Sequence, residues 1–239
     1  MSGGSRDRLC AAADAMGVLL APDDAKWLVA LLRDMAAQPQ NLTAVCDEHD
    51  GVDRHLADAL SALVLPLPDG PACDIGSGGG IPGLVLARVR PGVPHTLIEA
   101  EGRKAEWLRR ASGRMPNVRV LHARTEDVAT RQREAFALVT ARAVAPPIPT
   151  LELAAPLVSR GGSLVVWTAR DSAEAWDDAG AAAETLGFGV PAVTDVSPFA
   201  DARRRLLRFE KHLRTPGTYP RRPGRATKRP LATGRHRAA

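Results

Sequence analysis

The sequence predicts an α/β fold in which helices cover both faces of a mainly parallel sheet. From residue 72 onward, short apolar runs alternate with helical stretches, which is the pattern of consecutive βα units. A glycine-rich loop joins the first of these apolar runs to the helix that follows it. The 239 residues are 45% hydrophobic and 25% charged. This composition supplies one sizeable core and excludes a disordered chain, a coiled coil and a disulfide-stapled scaffold.

Two helices are predicted ahead of the sheet. Residues 23–37 place their leucines at helical spacing behind a start signal at Pro22, and residues 50–65 repeat an apolar face at the same period. The first 20 residues are rich in alanine and give no clear assignment. We therefore expect residues 1–65 to form a helical segment that packs on the core, with a proline-containing linker after it.

The core of the fold is predicted to span residues 66–213. Right-handed crossovers between its βα units make the sheet doubly wound. Residues 204–211 alternate in polarity after the last helix, which favours a final strand that runs antiparallel. The other predicted strands are 72–75, 96–99, 118–123, 136–141 and 164–168, and the predicted helices are 81–89, 103–114, 150–158 and 172–186.

The positive charge is concentrated towards the C-terminal end. Residues 203–239 contain 13 Lys or Arg and one acid, so the rest of the chain is mildly acidic although the net charge is +5. This distribution favours nucleic acid over a membrane surface, because the region lacks an amphipathic apolar stripe. Residues 214–239 are predicted to form a basic, flexible tail without regular elements. Its candidate phosphate contacts are Arg221, Arg222, Arg225, Lys228 and Arg229.

The cysteines and the hydropathy pattern exclude other classes of protein. Cys10, Cys46 and Cys73 are far apart and form no CxxC pair, which argues against a disulfide framework or a zinc cluster. No apolar run approaches the roughly 20 residues that span a bilayer, and no signal-peptide pattern is present. We expect a soluble, cytoplasmic protein without a metal site.

The glycine-rich loop reads DIGSGGGIPG from Asp74 to Gly83. Glycines let the backbone approach a ligand closely, and the following helix presents free N–H groups. Gly78, Gly80 and Gly83 satisfy the GxGxxG pattern of dinucleotide-binding proteins. Asp74, Gly76, Gly78 and Gly80 equally satisfy the D-x-G-x-G-x-G pattern that binds S-adenosylmethionine. The loop alone therefore predicts a ribosyl cofactor and leaves two candidates.

The surroundings of the loop favour S-adenosylmethionine. Glu99 closes the second predicted strand, where an acid binds ribose hydroxyls in either cofactor. Asp74 precedes the glycines at the position expected for the methyl donor, and the late antiparallel strand suits a methyltransferase sheet. The single tyrosine, Tyr219, is not followed by the lysine of a YxxxK hydride-transfer site. An NAD-dependent oxidoreductase remains the alternative from another class.

Several separated segments resemble one family. The chain is similar to the bacterial 16S rRNA guanine-N7 methyltransferases (RsmG or GidB). The segments that carry the resemblance are 41–45 (NLTAV), 54–60 (RHLADAL), 74–86 with the glycine loop, 103–109 (RKAEWLR), 122–126 (HARTE), 140–144 (TARAV), 219–224 (YPRRPG) and 228–231 (KRPL). Departures from the family pattern include Thr168, where a lysine is usual, with Arg170 two positions on, and Ala59 in place of a serine.

The resemblance implies a Rossmann-like sheet of the class I S-adenosylmethionine-dependent methyltransferase type. It also implies 16S rRNA or the small ribosomal subunit as partner and 7-methylguanosine as product. Arg142 is expected to orient cofactor and target, and no general base is expected because guanine N7 carries its own lone pair. The cofactor-binding residues are expected to be Asp74, Gly76, Gly78, Gly80, Ile81, Glu99, Thr125, Glu126 and Arg142.

Other interpretations of the site stay open at this stage. The chain could methylate another RNA or a small molecule, or it could be an RNA-binding scaffold that keeps the cofactor as a structural ligand. Arg54 and Asp58, four residues apart on one helix, are expected to form an ion pair. Removal of the chain after Leu213 is expected to weaken RNA binding and to leave cofactor binding intact.

Overall fold

The computed structural model describes residues 4–39, 42–43, 45, 47–169 and 174–231. Within these residues, seven strands form one sheet. The strands are β1 (Ala72–Ile75), β2 (His95–Glu99), β3 (Val118–His122), β4 (Phe136–Ala141), β5 (Val158–Ala169), β6 (Ala192–Val196) and β7 (Arg204–Glu210). Their order across the sheet is β3-β2-β1-β4-β5-β7-β6.

Strands β1 to β5 are parallel, whereas β7 runs antiparallel to both of its neighbours, β5 and β6. The sequence-based prediction of β1 to β5 and of the late antiparallel strand is confirmed. Strand β6 was not predicted, because its residues lie at the exposed edge of the sheet and form no apolar run. The two strands nearest this edge thus depart from a simple βα repeat.

Helices cover both faces of the sheet, and strand residues contribute to three apolar clusters. Leu97 and Ile98 are neighbours in β2, and both are buried, but they belong to different apolar clusters. The helices between β1 and β6 are α5 (Gly83–Val89), α6 (Gly102–Ala111), α7 (Thr125–Arg131), α8 (Pro147–Ala154), α9 (Glu174–Asp177) and α10 (Gly180–Thr185). No helix in the described ranges is both long and apolar enough to cross a membrane.

Two helical predictions in the core need correction. The helix predicted at 172–186 is two short helices, α9 and α10, and residues 170–173 lie outside the described residues. Helix α7 was not predicted, because its seven residues are polar apart from Val128 and Ala129. These two apolar residues are nevertheless buried, so α7 owes its place to packing rather than to a visible periodicity.

The N-terminal helices pack on the face of the sheet that α5 and α6 cover. They are α1 (Ser5–Ala15), α2 (Pro22–Ala36) and a continuous stretch made of α3 (Glu48–Gly51), a π-helical part (Val52–Ala57), α4 (Asp58–Leu60) and a 3-10 turn (Ser61–Val64). Leucines of α1 and α2 share one core with Leu84 and Leu108. Helix α1 was not predicted, because only Leu9 and Ala13 anchor its apolar side.

The C-terminal segment, defined here as residues 214–231, differs from the predicted flexible tail. It packs along the core and contains a short helix, α11 (Arg225–Lys228). Thr215 and Ala226 are buried. The guanidinium of Arg133 donates hydrogen bonds to the backbone carbonyls of Thr215 and Tyr219, each at 2.6 Å. The segment keeps its place because side chains from residues 66–213 form hydrogen bonds with its backbone groups. The local composition of the segment does not reveal these partners.

Candidate functional site

Two adjoining cavities lie at the carboxyl edge of the sheet. The first, the loop cavity, has a volume of about 260 Å³ and is lined by the glycine loop together with His55, Lys104 and Arg142. The second, the strand-end cavity, also has a volume of about 260 Å³ and is lined by the ends of β2, β3 and β4. Gly76 and Glu99 line both cavities, so the two form one elongated site. Ligands of open α/β sheets bind at this edge.

The glycine loop is shaped by close approaches that a side chain would block. Gly76 has φ +61°, and a Cβ there would lie 3.2 Å from Cγ2 of Val144. At Gly83, a Cβ would lie 2.4 Å from Cδ2 of Leu97 and 2.8 Å from Oδ2 of Asp74. Gly76 thus allows Val144 to pack against the loop where the two cavities meet, and Gly83 lets α5 begin directly against the sheet.

Asp74 lies beneath the loop, away from the lining of the two cavities. Its side chain is 2% exposed, and the Thr140 hydroxyl donates a hydrogen bond to its Oδ1 at 2.7 Å. Burial raises the pKa of this carboxyl to about 6. The Ser77 hydroxyl donates to the backbone carbonyl of Asp74 at 2.9 Å. The sequence predicted a cofactor contact for Asp74, whereas the structure gives it a supporting position under the loop.

Glu99 occupies the junction of the two cavities. Its Oε2 accepts a hydrogen bond from the Gly78 amide at 2.8 Å, and its Oε1 accepts one from the Glu101 amide at 2.7 Å. These bonds fix the orientation of a carboxylate that is almost buried. Each oxygen keeps a further lone pair, so the group can accept hydrogen bonds from a vicinal diol such as a ribose.

The strand-end cavity combines apolar walls with a polar end. Ile98, Val144 and Leu153 form apolar walls, and Thr125 and Glu126 supply the polar groups. Oε1 of Glu126 accepts a hydrogen bond from the backbone amide of Gly224 at 2.9 Å. A flat heterocycle with polar edges suits such a surface.

The remaining predicted loop residues divide between the lining and the interior. Gly78 and Ile81 line the loop cavity. Gly80 is buried, and a Cβ there would lie 2.5 Å from Cδ1 of Leu84. Gly80 therefore shapes the loop from below. Sequence reasoning missed Met35, Leu42 and Lys104 as lining residues, although Leu42 and Lys104 each lie in a segment that carries the family resemblance.

Arg142 lines the loop cavity and is held from the N-terminal helices. Its Nε lies 2.9 Å from Oδ2 of Asp58, and its Nη2 donates to the backbone carbonyl of Arg54 at 2.5 Å. Asp58 is 2% exposed and also binds Arg204 at 3.2 Å. The predicted ion pair between Arg54 and Asp58 is wrong. Arg54 pairs with Asp50 instead, because Asp58 faces the sheet and not the helix surface.

His55 lines the same cavity next to Arg142. Its Nε2 lies 2.6 Å from the Thr43 hydroxyl. Burial, together with the positive charge of Arg142, lowers the pKa of His55 to about 4. The imidazole is therefore neutral at physiological pH, and the fixed positive charges in the lining are those of Arg142 and Lys104.

The candidate RNA contacts do not share one environment. Arg221 turns inward and forms an ion pair with the buried carboxylate of Glu152. Arg222, Arg225, Lys228 and Arg229 are exposed. Arg222 and Arg225 border an open cavity of about 520 Å³ on the outer side of the segment. Four of the five predicted residues therefore remain available to a polyanion.

Two further predictions concern Thr168 and metal binding. Thr168 is buried within β5, opposite Arg205 of β7, and Arg170 lies outside the described residues. In the described part of the chain, no group of three or more His, Cys, Asp or Glu side chains is arranged to hold a metal ion.

The sheet and the site define a class of protein. Dinucleotide-binding Rossmann sheets have the strand order 3-2-1-4-5-6, whereas here an antiparallel β7 lies between β5 and β6. With the glycine loop after β1 and the acid at the end of β2, this is the class I S-adenosylmethionine-dependent methyltransferase fold. The predicted fold class is confirmed, and the oxidoreductase alternative does not fit.

Solved structures with the same fold include distant proteins. The fibrillarin pre-rRNA processing protein of Methanococcus jannaschii aligns with a TM-score of 0.51 at 15% identity, covering 64% of this chain and 74% of its own. A mutant of MtNAS aligns with a TM-score of 0.53 at 17% identity, covering 77% of this chain and 71% of its own. At such identities these similarities establish the fold alone.

Sequence comparison gives the family. The profile of GidB, the rRNA small subunit methyltransferase G family, matches residues 24–204. Proteins named ribosomal RNA small subunit methyltransferase G are 40% identical over 197 residues in Chloroflexus aggregans, covering 80% of this chain and 82% of the relative. In Moorella thermoacetica the identity is 34% over 238 residues, covering 95% and 98%. The chain belongs to the rRNA small subunit methyltransferase G family, and the predicted resemblance is confirmed.

The cofactor of this class is S-adenosylmethionine, and the residues of the site fit it. Gly76 and Glu99 line both cavities, so a single ligand can extend from one cavity into the other. Glu99, at the junction, suits the ribose. The strand-end cavity suits the adenine, which leaves the loop cavity for the methionine end.

Proposed function

We propose that this protein transfers a methyl group from S-adenosylmethionine to N7 of a guanine in 16S rRNA. The observation that carries the proposal is the pair of cavities joined at Gly76 and Glu99, in a chain that belongs to this methyltransferase family. The substrate is 16S rRNA, free or within the small ribosomal subunit. Such a substrate places the activity in the cytoplasm.

The reaction requires that the methyl donor and the guanine be oriented correctly, and it requires no proton transfer before the methyl group is attacked. S-adenosylmethionine supplies a methyl group bound to a sulfonium. Guanine N7 is an exposed acceptor with its own lone pair, so no base has to remove a proton from it. The lining agrees, because His55 is half-buried, bonded to Thr43 and neutral. The main contribution of the protein is to hold the two reactants in line.

Each end of the site has its own residues. Gly76, Gly78 and Ile81 line the side where the methionine end would lie, and Gly80 supports the loop beneath them. Glu99 accepts hydrogen bonds from the ribose hydroxyls, while Thr125 and Glu126 lie beside the adenine. The target guanine enters from the loop cavity, past His55 and Arg142. A base inside a helix would have to leave its stack to reach this position.

Arg142 is the residue that orients the target. Arg142 lines the loop cavity, and its guanidinium is held by Asp58 and by the backbone carbonyl of Arg54. A guanidinium fixed in this way presents directed N–H donors to the acceptor edge of guanine. Asp58 joins the N-terminal helices to the sheet at this point, because it also binds Arg204 of β7.

The assay that tests the proposal uses S-adenosylmethionine labelled with tritium in its methyl group. Small subunits from a strain that lacks this enzyme serve as substrate, and nucleosides of their 16S rRNA are then separated. Label in 7-methylguanosine is the expected result. Label confined to another nucleoside, or no label from a protein that binds the cofactor, would contradict the proposal.

A matched pair of variants tests the role of Arg142 in the same assay. Arg142→Ala and Arg204→Ala each remove one of the two arginines that bind Asp58, but only Arg142 lines the cavity. Arg142→Ala should lower kcat about 10- to 100-fold, because misplaced reactants lose rate steeply. Arg204→Ala should stay within about twofold of the unaltered protein. Equal losses in both variants would show that Arg142 has only a structural role.

A further inference from the structure

The C-terminal segment forms one wall of the strand-end cavity. Gly224 and Thr227 line this cavity together with the ends of β2 and β3. The amide of Gly224 donates a hydrogen bond to Oε1 of Glu126 at 2.9 Å. The C-terminal segment, which the sequence predicted to be an RNA-binding tail, therefore contacts Glu126, the residue that we place beside the adenine.

Two sets of contacts anchor the segment ahead of this wall. Before it, Arg133 donates hydrogen bonds to the carbonyls of Thr215 and Tyr219. Next to it, Nε of Arg221 donates to Oε1 of Glu152 at 2.6 Å, and Nη2 donates to Oε2. Glu152 is 1% exposed and precedes Leu153, which lines the same cavity. The wall is thus fixed to α8 through a buried, bidentate ion pair.

The two sides of the segment differ in chemistry. The inner side, which consists of Gly224 and Thr227 in the lining of the strand-end cavity, carries no charged group. The outer side, which borders the open cavity of about 520 Å³, carries Arg222 and Arg225 together with part of Arg221 and with Thr218. An uncharged inner side suits an adenine ring, whereas the outer arginines suit phosphate groups.

We propose that the C-terminal segment is part of the cofactor site. In this proposal, Gly224 and Thr227 form a fixed wall that contacts the adenosine end of S-adenosylmethionine. The proposal rests on the proposed function for the identity of the cofactor. Because its anchors fix the wall before any ligand arrives, the segment lowers the ordering cost of binding. This reverses the sequence-based expectation that the chain after Leu213 can be lost without effect on cofactor binding.

A matched pair of substitutions in the full-length protein tests the proposal. Thr227 and Thr218 are both exposed threonines of the segment, but Thr227 lines the inner cavity and Thr218 the outer one. Calorimetric titration with S-adenosylhomocysteine, in the absence of RNA, gives a Kd for each variant. Thr227→Trp should raise the Kd about tenfold or more, because the indole fills the space of the adenine. Thr218→Trp should leave the Kd within about twofold.

The outcomes separate this inference from the proposed function. If the unaltered protein binds S-adenosylhomocysteine and Thr227→Trp binds equally well, the inference is overturned and the proposed function is untouched. If the unaltered protein does not bind the compound at all, both fail. Hydrogen exchange of the unaltered protein gives a check that needs no variant. The compound should protect the amides of residues 224–228, and an unchanged exchange rate there would overturn the inference.

Discussion

The glycine loop and the C-terminal segment border the same site, but they are held in place in different ways. The loop is held by close packing, because Gly76 and Gly83 permit close approaches to residues of the adjoining strands and loops. The segment depends on distant partners, since 98 positions separate Gly224 from Glu126 and 69 separate Arg221 from Glu152. Close packing holds the glycine loop in position, whereas ion pairs and backbone hydrogen bonds hold the C-terminal segment.

This difference shows what basic residues near a terminus can mean. The composition of residues 203–239 indicated a polyanion partner, and four exposed basic residues remain available for one. Arg221 has a structural use instead, because it neutralises a buried carboxylate. Arg133, far away in the chain, likewise binds carbonyls of the segment. A count of basic residues cannot separate those that bind a polyanion from those with a structural role. The burial of the group to which each basic residue is paired separates them.

The largest expected effect comes from the buried ion pair. Arg221→Ala leaves the carboxylate of Glu152 buried and without its cation, so we expect a loss of about 3–5 kcal/mol in the free energy of unfolding. Arg222→Ala, the neighbouring exposed arginine, should change it by less than about 0.5 kcal/mol. Urea denaturation of the two variants measures both values. Similar losses in the two would show that the segment is not anchored through Arg221.

The second prediction compares one glycine from each region. At Gly83 the obstacle is crowding, so Gly83→Ala should cost about 1–3 kcal/mol of stability and Gly83→Asn more. At Gly224 there is open space but φ is +77°, so Gly224→Ala should cost about 1–2 kcal/mol and Gly224→Asn less, since asparagine tolerates this conformation. Denaturation of the four variants shows, at each position, whether alanine or asparagine costs more stability. The same ranking of alanine and asparagine at both positions would contradict the distinction between the regions.

The third prediction concerns the outer side of the C-terminal segment. Arg222→Ala and Arg225→Ala should each weaken RNA binding a few-fold and lower the slope of log K against log salt by about 1 for each lost phosphate contact. Arg6→Ala serves as the control, because Arg6 is an exposed arginine of α1 that pairs with Asp7. Filter binding to a 16S rRNA fragment across a salt series measures the slopes. Equal slopes in all three variants would remove the RNA contact from this surface.

The smallest effect is a difference in pH dependence between the two regions. Burial and Arg142 lower the pKa of His55 to about 4, so the unfolded chain binds the extra proton first and stability falls as the pH drops from 6.5 towards 4. Lys211 is buried below the segment, and burial lowers its pKa to about 8. Stability should therefore rise between pH 8 and 10.5, where only the unfolded chain keeps that proton.

Urea titrations at each pH separate the two contributions. His55→Asn should flatten the acid part of the curve and leave the basic part unchanged. Lys211→Met should do the opposite. Curves that run parallel to that of the unaltered protein in both ranges would rule out these groups as the source.

Most of the sheet could be predicted from the sequence, because β1, β2 and β4 are short, largely buried strands and all of β1 to β5 alternate with helices. The glycine loop was equally visible, since its residues are consecutive and their spacing is the signal. Strand β6 was not, because an exposed edge strand needs no apolar run. The same holds for α1, whose position depends on a few buried side chains and on the ion pair between Arg8 and Asp53.

The site was predicted less completely than the fold. Glu99 was identified from its place at the end of the second strand, and Thr125, Glu126 and Arg142 from the family resemblance; all four line the cavities. Asp74 was given a direct contact, because a motif shows position along the chain and not depth below the surface. The partner of Asp58 was missed for the same reason. Gly224 and Thr227 had no local signal, since their part in the site depends on contacts with residues about 100 positions away.

A crystal structure of the full chain with S-adenosylhomocysteine tests most directly whether the two regions form one cofactor site. We predict ribose hydroxyls on Glu99 and the adenine between Glu126 and the C-terminal segment, with Gly224 and Thr227 in contact with the ring. An adenine bound outside the strand-end cavity, or a segment displaced from it in the complex, would contradict this result.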